Sequence, residues 1–425
     1  MRLLERSIWK NGRYWMSLNK RRSPPTRSAS LEQATARQLS ECVEHTPTLV
    51  YSEEIVAQNC TTVQRALQSI SSLDAEVAFA VKACYSLPVL RIIADRGLGA
   101  EVISELEFRL ARGAGFSDGR IVCNGAGRSD ACLSLAAKCS WLTTFDSPAD
   151  FDRFCSMASD HDLPKLGIRV PAGRCRPTKL GVSLNPTTLR AWFGTTRHKP
   201  APIVALHTHF GDREVSAARY IAALREMRRA ANVVERTLGT TIAAVDIGGG
   251  ICESGEASVD AYDLFRGIGR ACAQYLPGVK LVLEPGRFIV GDAGFLATTV
   301  LDVKVRAGRV DVIVDAGTNL LIPVASAKYR LVFPPGPANG EGVRLDVVDG
   351  ITNPRNVIVR GAYLSTIPGR GDRLVLGSCG AYTTSMASFW VYDVPPVLLY
   401  RSDGHLEVAL SRRRLLRARR LLLGV

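Results

Sequence analysis

No run of apolar residues in the 425-residue chain approaches the roughly 18 that a membrane-crossing helix requires. The N-terminus lacks the apolar core of a secretory signal, and no Cys-x-x-Cys pair occurs anywhere. The 11 cysteines are odd in number and scattered, which argues against a disulfide framework or a clustered zinc site. They predict reduced thiols and a cytoplasmic setting. Acidic residues are the other shortage, with 40 Asp+Glu against 54 Lys+Arg and a formal net charge of +14. That shortage is local. Met1–Ser28 holds one acid, Glu5, against eight basic residues, and Ser411–Val425 holds no acid against six arginines. The two ends carry nearly all of the excess, so the body is close to neutral and no nucleic-acid groove is implied.

The basic N-terminal segment reads as a flexible extension over 1–45, or as the product of a start codon upstream of Met16. Its Arg-rich, acid-poor composition also fits a mitochondrial transit peptide. At the other end, Arg412–Leu423 alternates arginines with leucines as a basic amphipathic helix would. Such a helix either docks on the preceding domain with its arginines in water or lies on an acidic membrane surface or partner.

Between these ends the pattern is regular. Apolar or β-branched runs at Glu76–Lys82, Leu98–Ile103, Arg120–Asn124, Trp141–Phe145, Lys165–Val170, Ile203–His207, Ile242–Asp246 and Lys280–Glu284 predict eight strands. Amphipathic stretches separate them, among them Leu87–Asp95, Glu105–Arg112 and Ser216–Thr237. Eight such units predict an α/β fold, a (β/α)8 TIM-like barrel over 53–285. Beyond Arg287 strand-like runs follow one another directly, predicting a C-terminal all-β, β-barrel-like domain over 286–410. The short run at 46–52 is expected to pair into that β domain, and 411–425 forms the basic tail.

In such a barrel the chemistry lies at the C-terminal strand ends, and phosphate sites favour the loops after strands seven and eight. Lys82 closes the first strand, where desolvation would lower its pKa and make a Schiff-base amine; a lysine reaching from the barrel rim into water is the plainer reading. Asp246-Ile247-Gly248-Gly249-Gly250 ends strand seven, and three glycines let backbone N–H groups converge on an anion. Glu284-Pro285-Gly286-Arg287 ends strand eight. There Glu284 could hold a proton on a ring nitrogen and Arg287 could grip a carboxylate or phosphate, or the two could form a structural ion pair. His207 and His209 close strand six, as metal ligands without an evident third partner or as imidazoles against an aromatic cofactor. No metal is predicted.

These motifs, with Phe79–Ala83, Gly99–Ser104, Lys179–Val182, Val314–Gly317 and Gly380–Tyr382, resemble the fold-type III pyridoxal-phosphate (PLP) decarboxylases, the group of diaminopimelate, ornithine and arginine decarboxylases. The likeness runs from about Thr46 to about Tyr400 and is nearest the diaminopimelate branch. It implies a PLP-dependent carboxy-lyase acting on a small amino-acid substrate, as a head-to-tail homodimer with shared active sites. It further implies that Lys82 forms the Schiff base with PLP and His209 stacks on the ring. Gly248, Gly249, Gly250, Gly286 and Tyr382 would bind the cofactor around its phosphate. Glu284 would pair with the pyridinium nitrogen, and Arg287 would hold phosphate or substrate. Arg169, Asp212, Leu364 and Ser365 fall at the substrate pocket.

The chain departs from the family pattern around the substrate. Gly361–Thr366 stands where the family has a segment carrying a proton-donating cysteine, and that position is Leu364. The acidic residue that follows it and an arginine at the position of Ile322 are also replaced, and Asp212 stands where a phosphate-binding serine is usual. A leucine cannot give a proton. The reading is therefore decarboxylation of a modified amino acid, in specialised or siderophore-type metabolism rather than of meso-diaminopimelate, with Tyr363, Ser365, Cys379 or water as the acid. The alternatives are diverted chemistry after decarboxylation, or an inactive PLP-binding paralogue acting as a partner protein.

Overall fold

A computed structural model of the chain describes residues 27–157, 163–171, 179–194, 202–209, 211, 213, 216–253, 260–321, 328–337 and 342–424. After β1 (Thr48–Ser52), eight parallel strands close a barrel: β2 (Ala75–Ala80), β3 (Gly99–Val102), β4 (Ile121–Cys123), β5 (Leu142–Phe145), β6 (Lys165–Arg169), β7 (Ile203–His207), β8 (Ala244–Asp246) and β9 (Lys280–Leu283). All eight expected strands are present. Closure is by β2, which pairs with β3 through Ala78↔Gly99 and with β9 through Ala75↔Leu281.

Small residues fill the barrel. Ala78, Val122, Leu142, Ala205, Ala244 and Val282 form a buried cluster of their own, separate from the main core. At the N-terminal end Trp141 packs against that cluster, with the ammonium groups of Lys165 and Lys280 each 5.5 Å from its ring. The barrel is thus plugged below, which leaves the C-terminal mouth for chemistry. Helices outside it start and stop on local signals. Ser104 caps Glu105–Ala114 by accepting from the Glu107 N–H, and Gly115, at φ 97°, ends it.

The remaining strands are β10 (Gly294–Arg306), β11 (Arg309–Val314), β12 (Arg330–Phe333), β13 (Val343–Asp349), β14 (Val357–Leu364), β15 (Arg373–Gly377), β16 (Val397–Tyr400) and β17 (Leu406–Leu410). They form one mixed sheet in the order β14-β13-β11-β10-β1-β16-β17, with β15 also on β10 and β12 on β15. Strand β1 runs antiparallel to β10 and parallel to β16.

Both described terminal segments are helices. Residues 27–42, placed by sequence in a flexible extension, form a helix. It buries Ala36 and Leu39 in the main core, and Glu32 accepts from Arg330 Nη2 at 2.7 Å. Sparse apolar spacing disguised a helix whose burial and ion pair come from β12 and β15, more than 280 residues later in the sequence. The C-terminal helix Arg412–Leu423 lies against the β domain: Arg419 pairs with Asp393 at 2.7 Å, and Leu415 and Leu416 wall a cavity of about 690 Å³ together with Val43, Pro396 and Leu398. No helix among the described residues is long and apolar enough to cross a membrane.

Candidate active site

Strand β2 ends at Ala80, and Val81–Ala83 turns once as a 3-10 helix that places Lys82 at the barrel mouth. Its ammonium forms a short ion pair with Glu101 of β3, a carboxylate that is almost fully buried. Desolvation alone would lower the lysine pKa, as the sequence suggested. The charge and hydrogen bond of Glu101 act against it, and the net shift is upward. Beside Glu101, Lys82 is therefore a paired cation rather than a free amine. Beside it Tyr85 Oη donates to Glu107 at 2.9 Å, and the second Glu107 oxygen accepts from the Ile103 N–H at 2.8 Å.

Deeper in the mouth two carboxylates meet. Asp246 ends β8 and Glu284 follows β9, both buried. The Asn124 amide at the end of β4 donates to Asp246 at 3.3 Å and, over a shorter distance, to Glu284 Oε1. Thr144 Oγ1 donates to the Asn124 carbonyl oxygen and so fixes which way the amide points. Burial pushes the Asp246 carboxyl up to about 6, although hydrogen bonds from Glu284, the Gly248 N–H and Asn124 pull it down. Burial, then Asp246 and Glu101, hold Glu284 well above the usual carboxylate range. Glu284 accordingly keeps its proton and shares it with Asp246. His207 lies beside them, with Nδ1 3.4 Å from Thr144 Oγ1 and 3.8 Å from Asp246, and with a buried Nε2 that has no hydrogen-bond partner. His207, Asp246 and Glu284 each bring a ligand-capable atom within 4.8 Å of the others, so the third residue missing from the histidine pair in sequence is supplied by the fold, while His209 stands outside the group.

The glycine turn lies next to His209. The Gly249 N–H donates to His209 Nδ1 at 3.2 Å, and Tyr220 Oη donates to the Gly249 carbonyl at 2.7 Å. Gly248 has φ 70°, and a Cβ on Gly249 would lie 2.1 Å from the Glu284 carbonyl oxygen, so both positions require glycine. Burial, then Lys82 and Arg169, bring His209 down to about 4, which keeps its imidazole neutral. On the far side Tyr382, in a left-handed conformation, donates its N–H to Ala83 O at 2.7 Å and lays its ring 5.2 Å from the Arg287 guanidinium. Gly286 packs on Ala80 and Ala83, where a Cβ would lie 2.9 Å from that of Ala83.

The mouth therefore gathers Lys82, His209, Gly248–Gly250, Glu284, Gly286, Arg287 and Tyr382. Arg169, at the end of β6, is near enough to act electrostatically on both histidines. Other expected residues lie elsewhere. Leu364 is buried inside the β domain opposite Val343, and with Ser365 it lines a small cleft whose other walls include Phe333–Pro335 and Arg373 rather than barrel residues. Tyr363 is 44% exposed on the same strand. Asp212 and Ile322 lie outside the described residues. Sequence reasoning missed the parts played by Glu101, Asn124 and Thr144. An acid inside the apolar run Gly99–Val102 and a lone amide at a strand end were the available signals.

A barrel plugged below, with a lysine, a glycine turn and buried acids above and a β domain contributing Tyr382, defines the architecture of a barrel-type pyridoxal enzyme. The family description "pyridoxal-dependent decarboxylase, pyridoxal binding domain" matches residues 54–291. The chain is similar to diaminopimelate decarboxylase of Deinococcus radiodurans, 29% identical over 354 residues that cover 81% of this chain and 87% of the relative. Among solved structures it resembles diaminopimelate decarboxylase from Helicobacter pylori complexed with L-lysine, at a TM-score of 0.75 and 25% identity, over 92% of this chain and 100% of that one. It also shares its fold with the arginine decarboxylase of Paramecium bursaria Chlorella virus bound to agmatine, at a TM-score of 0.71 and 20% identity, over 87% and 100% of the two chains. The chain belongs to the pyridoxal-dependent decarboxylases and is a PLP-dependent carboxy-lyase.

The residues at the mouth fit that cofactor. Gly248 and Gly249 hold a turn with no room for a Cβ, the His207 Nε2 is an unsatisfied buried atom, and the mouth pairs a lysine with a buried protonated acid.

Proposed function

We propose that the protein decarboxylates an amino acid or amino-acid-derived intermediate other than meso-diaminopimelate, in specialised or siderophore-type metabolism, at active sites shared between two copies of the chain. The observation that carries this reading is the opposition of Lys82 to Glu284 across one mouth, together with a β-domain segment that offers Leu364 where a proton donor is usual. When bound, PLP supplies the electron sink for the charge left at Cα as CO2 departs. The chain's own residues prepare that site. Lys82 would hold the cofactor, with Glu101 as its ion-pair partner. His209, neutral, would pack against its ring. Glu284 holds a proton for the pyridine nitrogen, with Asp246 and Asn124 fixing its orientation. Gly248–Gly250, Gly286, Arg287 and Tyr382 take the phosphate end, and Arg169 faces substrate.

Tyr363 is exposed on the β domain, away from the barrel residues around Lys82, a placement that supports a head-to-tail homodimer in which Tyr363 enters the second subunit's mouth. There the exposed Tyr363 hydroxyl is the nearest substitute for the missing cysteine. With the family's acidic residue on this segment replaced, the pocket lacks the acid that would read a distal ammonium, and a substrate whose far end is modified or apolar fits better. The test is CO2 release across a panel of free and acylated amino acids, with product masses recorded in D2O. One solvent deuteron at Cα of the amine supports simple decarboxylation. A carbonyl product supports diverted chemistry. Absence of CO2 and of any new product, from protein that holds PLP, overturns the enzyme reading in favour of a binding partner.

A further inference from the structure

Three consecutive loops at the barrel mouth meet in a buried cluster of two guanidiniums around one carboxylate. Arg213, from the loop after β7, sets Nη1 3.1 Å from Glu253 Oε2. Arg287, after β9, sets Nη1 3.4 Å from Glu253 Oε1. Glu253 itself follows the glycine turn on the loop after β8. The three side chains are 7%, 3% and 1% exposed for Arg213, Arg287 and Glu253. Arg213 adopts a left-handed backbone, at φ 60°, that a non-glycine residue takes only when its surroundings hold it there. Gly291 makes room for Glu253, since a Cβ on it would lie 2.6 Å from the Glu253 Cγ. Burial raises the Glu253 pKa against the pull of Arg287 and then Arg213, with Asp292 also near enough to raise it.

Taking a guanidinium out of water is expensive, and a buried arginine is retained where planar, two-pronged recognition of an oxyanion is needed. Glu253 gives one oxygen to each arginine and so spaces and orients the pair. These three side chains together carry one more positive charge than negative. They stand beside Gly248–Gly250, and Arg287 lies over Tyr382, at the loops where barrels of this kind bind phosphate. We infer that Arg213, oriented by Glu253, is a second arginine ligand for the cofactor phosphate, acting with Arg287. Arg213 is then a binding residue and Glu253 a positioning residue. The inference rests on the cofactor assignment.

The test titrates apoenzyme with PLP and, separately, with pyridoxal, which has the same ring and aldehyde but no phosphate. For Arg213→Gln, PLP affinity should fall by about tenfold or more while pyridoxal affinity stays within about twofold. Arg213→Lys keeps the charge but loses the planar fork. It should lose several-fold in PLP affinity with pyridoxal again unchanged, and it covers the case in which the glutamine variant does not fold. Glu253→Gln should weaken PLP binding when made alone and weaken it by a smaller factor in the Arg213→Gln background, where only Arg287 is left for it to orient. Unchanged PLP affinity in both arginine variants, or equal losses for PLP and pyridoxal, overturns the inference. If wild-type protein binds neither compound, the cofactor assignment itself fails, a result distinct from either of those.

Discussion

The ring of His209 occupies the space that any side chain at position 248 would need, because a Cβ there would lie 2.3 Å from Nδ1. With φ at 70°, Gly248→Ala adds a left-handed alanine to that clash. The two together should cost about 2–4 kcal/mol. Because His209 is the part that can give way, the loss is expected chiefly in the ligand. Apo Gly248→Ala should keep its far-ultraviolet spectrum while its PLP affinity drops by about tenfold or more. Wild-type affinity in that variant would mean the ring does not define the cradle.

The shared proton between Glu284 and Asp246 makes apoprotein stability depend on pH. Both carboxyls have folded pKa values raised above the unfolded ones, so their contribution is complete below about pH 4 and declines as pH rises through about 6 for Asp246 and higher for Glu284. Each proton kept by the folded chain alone costs about 1.4 kcal/mol per pH unit. Glu284→Gln removes the Glu284 titration and leaves an amide to face Asp246. Its stability relative to wild type should therefore increase as pH rises from 6 to 8. Urea unfolding of both apoproteins at the two pH values measures this, and a constant difference would refute the shared-proton assignment.

If Tyr363 works in the second subunit, Tyr363→Phe should slow turnover by about 10²–10⁴ without disturbing the bound-cofactor spectrum. Lys82→Ala should be colourless and inactive. Refolding the two variants together should then restore activity at about a quarter of the sites, since mixed dimers contain one intact site. No recovery from a well-mixed sample would place the proton donor elsewhere.

Leu39 tests the N-terminal helix. Its side chain is fully buried, so Leu39→Ala should lower the unfolding free energy by about 2–5 kcal/mol. A change near zero would show that 27–42 does not pack in solution.

The barrel was legible because its strands are apolar on both faces and its helices are amphipathic, so the eightfold rhythm survives in the sequence. The glycine turn and Glu284–Arg287 were legible because strand ends in a barrel have only one chemical side. Strand β12 was not, since Arg330–Phe333 is only partly buried and shows no alternation. Lys82 was found but its protonation was misjudged, because the sequence cannot show Glu101 crossing from the next strand to pair with it. The Arg213–Glu253–Arg287 cluster left no trace for a related reason: its members are joined only where three loops converge.

Strand β1 is threaded between β10 and β16, with Tyr51 opposite Gly294 and its hydroxyl donating to the Gly380 carbonyl at 2.7 Å. Strand β1 thus precedes the whole barrel in the chain, whereas both of its sheet neighbours follow it. Until those neighbours are synthesised its backbone groups and the apolar face of Leu49 and Tyr51 have no native partner. Folding must close loops of more than 200 residues at this seam, the slowest kind of contact to form. Vectorial synthesis therefore gives this enzyme a waiting period in which β1 needs shielding, and isolating the barrel as a fragment would make that period permanent.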